Sequence, residues 1–161
     1  MIKAPTAWLI YGSFFLGLLF AIIPLPEAIS VARPYLLAML LAYWLMEVPL
    51  RIGLGTAFLV GLVADATSGT LLGEQAMRLV VLTFLVQHFR ARLRFFPLWQ
   101  QALAIGLLLL NDRLLVAAIH LLARSPQLPW WNWLAPPLGM LLWPWLFVLL
   151  DVVRLRARER S

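Results

Sequence analysis

Asp65, Arg78, Asp112 and Arg113 fall within otherwise apolar sequence in this 161-residue chain, and Glu74 stands four residues before Arg78. Side chains of these types can relay protons, hold a metal or pair with one another, and spacing decides among the three. A relay through a membrane needs ionisable groups in every layer. Residues 4–26 carry no charge, and the apolar stretch from Asn132 to Val153 carries only Asp151, at its end. His88 and His120 lie on different segments, near opposite faces, with no cysteine in the chain and no carboxylate at ligand spacing, so they make no metal site. A nucleotide-binding glycine loop, a nucleophile elbow and an HExxH helix are all missing, and the pair Gly53 and Gly55 reads as a helix feature. No catalytic, cofactor-binding or metal-binding residue is assigned, and no cofactor is expected.

Pairing remains, and depth supports it. At 1.5 Å per residue, Asp65 rises about 21 Å from Arg51, and Asp112 and Arg113 rise by nearly the same amount from Leu98. Arg78, descending from a turn near Leu72, lies about 9 Å below the opposite surface of a hydrocarbon core roughly 30 Å thick. The four charges meet at one depth. An ionisable group there costs at least a few kcal/mol unless paired or hydrated, so a network of Asp65, Arg78, Asp112 and Arg113 is expected, with Asp65 paired to Arg113. Arg78 has a local alternative in Glu74, and Glu47 one in Arg51, because residues i and i+4 touch on a helix.

The elements that position these residues follow from composition. The chain is 63% hydrophobic and 12% charged, with a mean hydropathy of +0.91, outside the range of soluble domains. It reads as one all-α integral membrane domain, residues 1–161, a polytopic bundle of about six transmembrane helices. The expected spans are 4–26, 34–50, 52–67, 72–89, 98–123 and 132–153, each judged against the roughly 20 apolar residues that a crossing needs. Ser30-Val31-Ala32 has the outline of a signal-peptidase site, but the apolar run from Trp8 to Ile23 exceeds a usual signal core, so a retained first span is expected.

Six spans place nine basic residues on one side (Lys3, Arg51, Arg90, Arg92, Arg94, Arg154, Arg156, Arg158 and Arg160) and three on the other (Arg33, Arg78 and Arg124). That bias predicts both termini in the cytoplasm. The net charge of +6 therefore reflects topology and attraction to anionic membrane lipids, not nucleic-acid binding.

Gly53, Ala57, Gly61, Asp65, Gly69 and Gly73 recur every four residues. Small residues at that interval let helix backbones approach closely in lipid, where hydrophobicity does not draw helices together. The stripe predicts a packing face, within the chain or toward a partner, and puts Asp65 toward protein.

The segment RPYLLAMLLAYWLMEVPLRIGLGTAFLVGLVADATSGTLLGEQAM, Arg33 to Met77, resembles the rod shape-determining MreD family. The likeness is carried by Arg33-Pro34, Tyr43-Trp44, Pro49, Arg51, Gly53, Gly61, Asp65, Gly69, Leu72-Gly73 and Ala76. FFPLWQQAL (95–103) and LLWPWLFVLLDVVR (141–154) also look like that family, whereas Tyr35 and Glu74 depart from its common residues. The resemblance implies a non-enzymatic protein of the bacterial inner membrane. It would support lateral peptidoglycan synthesis beside MreC, the actin-like MreB, RodA and a penicillin-binding transpeptidase, with no small-molecule substrate. The family is also similar in structure to the six-helix S components of vitamin transporters, so the rival expectation is a small-molecule carrier or binding subunit.

Overall fold

The computed structural model describes residues 4–26, 35–69, 71–126 and 129–159. Six α-helices occupy them: α1 (Ala4–Ile22), α2 (Leu36–Glu47), α3 (Leu54–Ser68), α4 (Glu74–Phe95), α5 (Leu98–Leu122) and α6 (Ala135–Glu159). A short 3-10 turn, Trp130–Leu134, leads into α6. Arg33, Pro34 and the Ser30-Val31-Ala32 tripeptide lie outside the described residues.

Local sequence accounts for most of the boundaries. Helix α1 stops before Pro24 and Pro26, which cannot continue it. Gly69 ends α3 in the left-handed region at φ +64°, and Gly73 precedes α4 at φ +95°. An L side chain is strained at both angles. Pro97, at φ −61°, leads into α5. Helix α4 runs on through Arg92 and Arg94 to Phe95, past the Phe89 end expected from hydropathy. Its basic last turn complements the negative end of the helix dipole. Pro136 and Pro137 sit in the first turn of α6, where their missing amides cost nothing.

Successive helices alternate in direction. Trp44 Nε1 donates to Ser13 Oγ at 2.8 Å, tying α1 to α2. Glu47, ending α2, meets Arg154 near the end of α6. The bundle therefore has a basic end, with Arg51, Arg90 to Arg94 and Arg154 to Arg158, and a far end at the turn joining α3 to α4.

Helix α2 is the central pillar, buried from Leu37 to Met46 among α1, α4 and α6. Its 12 residues make a rod of about 18 Å. That is short for the hydrocarbon, but neighbouring helices clothe it. Two stretches, Leu98–Leu122 and Trp130–Glu159, are each long and apolar enough to cross a membrane. Large apolar side chains such as Trp8, Phe15, Phe84, Leu107 and Trp145 face outward, while Asp65, Glu74, Arg78, Thr83, Gln101 and Asp112 are buried. Apolar surface outside and charge inside is the arrangement that a lipid solvent selects.

Candidate functional site

The packing of α3 on α4 creates the site. A Cβ on Gly61 would overlap the Cα of Ala76 and lie 2.7 Å from its nitrogen, so the two backbones touch as only glycine permits. Ala57, Gly61, Ala64 and Asp65 are the buried residues of α3. The stripe is thus a packing face within the chain. It ends with the helix, because Gly69 and Gly73 lie in the turn and supply its backbone angles.

The close approach carries Asp65 under the start of α4. Its Oδ2 accepts the amides of Gly73 at 2.9 Å and Ala76 at 3.3 Å, and its Oδ1 accepts that of Gln75 at 2.9 Å. The Glu74 amide reaches Leu71 O, and that of Met77 reaches Gly73 O. Every amide of the first turn is therefore satisfied. A helix start carries unmatched donors and the positive end of the dipole, and Asp65 answers both from another helix. This corrects the expected pairing of Asp65 with Arg113: eight to eleven residues on, the turn offers fixed donors that a carboxylate only 2% exposed can reach.

The ion pair at this depth is Arg78 with Asp112. Arg78 Nε and Nη2 donate to Asp112 Oδ1 and Oδ2 at 2.8 and 2.5 Å, a two-pronged bond between residues 6% and 2% exposed. Glu74 lies 3.9 Å from Arg78, so the i,i+4 neighbour is an additional partner, weaker than Asp112 by distance. The guanidinium stands over the Tyr35 ring, 4.3 Å from its centre, and the Tyr35 hydroxyl donates to Gln75 Oε1 at 2.5 Å. The entry to α2 and helices α3, α4 and α5 are thus joined through one buried polar cluster. Arg113 points elsewhere, into a cleft shared with Tyr35, Leu109, Asp112, Ala135 and Pro136. Among the described residues, no carboxylate lies within ion-pair distance of it.

A second cluster closes the basic end. Arg154 pairs with Glu47 and, at 2.7 Å, with Asp151. Arg90 Nε donates to Met46 O at 3.2 Å. Glu47 thus takes a partner 107 residues away, where sequence spacing favours Arg51. Gln101 Nε2 donates to Leu93 O and Phe96 O at 3.1 and 3.2 Å, satisfying the end of α4 from the start of α5. Gly53 borders the start of α3 and Arg51 the loop before it.

Sequence reasoning overlooks Tyr35, Gln75, Gln101 and Arg154. Gln101 has a legible signal, a long amide three residues into a helix that directly follows another. Arg154 has none. Among the described residues, no three His, Cys, Asp or Glu side chains gather as a metal site. The clusters can fix helices against one another: Asp65, Glu74, Arg78 and Asp112 of the far cluster are each held by a neighbour in the same chain.

Comparison with known proteins gives concordant results. The family model for the rod shape-determining protein MreD matches residues 3–153. A rod shape-determining protein MreD of Haemophilus influenzae is 28% identical over 152 residues, which cover 94% of this chain and 94% of that protein. No solved structure matches the chain.

Proposed function

Since the chain belongs to the family of rod shape-determining MreD proteins, we propose that it is a non-catalytic membrane scaffold of the bacterial cell-elongation machinery. It resides in the cytoplasmic membrane with both termini in the cytoplasm. There it binds an MreC-type protein and works beside MreB, RodA and a penicillin-binding transpeptidase to direct peptidoglycan synthesis along the cell wall. The observation that carries this reading is the family match over almost the entire chain.

The geometry supports a scaffold in a specific way. Asp65, Arg78 and Asp112 are saturated by partners inside the bundle, so their role is to set the arrangement of α3, α4 and α5. Partner contacts then belong to the outward faces. Ala57 and Gly61 serve the same internal packing, Gly69 and Gly73 supply the backbone angles of the turn that follows, and Arg51 and Gly53 border the basic end. Arg113, with no carboxylate partner among the described residues, is the member of the far cluster left to meet another protein.

Extraction in a gentle detergent, followed by affinity purification, tests the scaffold against the carrier. Stoichiometric recovery of an MreC-type protein supports it. A tightly held polar metabolite with no protein partner would support the carrier instead.

A further inference from the structure

Between α4 and α5, toward the basic end, lies an open trough of about 350 Å³. It runs along α4 from Phe96 to Leu85, a rise of about 16 Å at 1.5 Å per residue. Ala104, Leu107 and Leu108 of α5 form the other wall, and the two polar lining residues, Arg92 and Asn111, stand toward opposite ends. Between Arg92 and Asn111 its walls are apolar side chains, a lining that suits a polymethylene chain lying along the trough.

Charge selects the headgroup. Arg92 is exposed, one turn from the end of α4, at the level where a guanidinium leaves the hydrocarbon for the interface. Among the described residues, no carboxylate lies within ion-pair distance of it. Arg90, two residues earlier, is already engaged with Met46 O. A phosphate over the trough would give Arg92 the two-pronged anionic partner that its neighbours do not. We propose that this trough is a binding site for one acyl chain of an anionic phospholipid, with Arg92 holding the phosphate. The basic end is thereby tied to the membrane through a defined groove as well as by diffuse attraction. The proposal requires only that the chain reside in a membrane and does not depend on the role in cell shape.

Native mass spectrometry of the purified protein, equilibrated with equal amounts of phosphatidylglycerol and phosphatidylcholine, tests it. The wild type retains one phosphatidylglycerol in preference to phosphatidylcholine. Arg92→Gln lowers that preference about fivefold, the factor matching one basic contact at an anionic surface, whereas Arg94→Gln, outside the trough, leaves it unchanged. Leu108→Trp fills the trough and removes the retained lipid of either kind, and Ala104→Leu, a smaller intrusion, weakens it if the tryptophan variant fails to fold. Equal retention of both lipids by the wild type would overturn the proposal. So would equal effects of Arg92→Gln and Arg94→Gln, full retention in a folded Leu108→Trp, or a dimer of the chain that this variant dissociates.

Discussion

Removing the Asp65 carboxylate should loosen α4 from its beginning. In Asp65→Ala, the amides of Gly73, Gln75 and Ala76 lose their acceptor, which is itself buried at 2% exposure. Polar contacts inside membrane proteins average about 0.6 kcal/mol and reach about 1.7, so three of them sum to about 2–5 kcal/mol. A value near 3 is expected, because the acceptor is charged and faces a helix N-terminus, where neutral capping residues alone contribute about 1 kcal/mol. Asp65→Asn separates charge from shape. Its single oxygen can serve Gly73 and Ala76, but its amide nitrogen then confronts the Gln75 donor, so roughly half the loss should remain. Unfolding by dodecyl sulfate in maltoside micelles reads these differences through the buried Trp44 and Trp143. An Asp65→Ala midpoint within about 0.5 kcal/mol of wild type, the range of an inconsequential surface change, would refute the capping role. Asp65→Asn equal to wild type would refute the contribution of charge.

Other perturbations separate the remaining contacts. Arg78→Leu strands Asp112 in the interior and should cost about 3–5 kcal/mol in the same titration, while Arg78→Leu with Asp112→Leu should recover most of it, since an apolar pair replaces a buried ion pair at little cost. Gly61→Ala drives a methyl into the Ala76 backbone and should lose about 1–3 kcal/mol by overpacking. Gly55→Ala, with no atom within 4 Å of the added carbon, should lose nothing under the same denaturant. Glu47→Gln should cost about 1 kcal/mol, the scale of a single polar contact within a membrane protein, because Arg154 keeps Asp151 at 2.7 Å.

How much of this is legible in sequence depends on distance along the chain. The helices are legible because apolar runs, prolines and glycines act locally. Equal depth for Arg78 and Asp112 follows from counting rises along two helices, although nothing local selects their pairing over the neighbouring Arg113. The small-residue stripe marks the buried face of α3, but the same interval carries it past Ser68 into a turn, where Gly69 and Gly73 serve backbone angle and not packing. The partner of Asp65 is hidden because the competing acceptors and donors are main-chain atoms, which no pattern of side chains reveals. Glu47 and Arg154 meet only once the last helix has returned to the start of the bundle. Arg51, four residues along, is what linear spacing offers in its place.

Cell morphology measures directly whether the proposed rigid, non-catalytic bundle sustains rod shape. In a rod-shaped host depleted of its own rod shape-determining MreD, expression of this chain should restore rods. Asp65→Ala, at matched membrane abundance, should leave the cells rounded and recover less of the MreC-type partner. Depleted cells that stay rod-shaped, or rods restored equally by wild type and a folded but loosened Asp65→Ala, would contradict it.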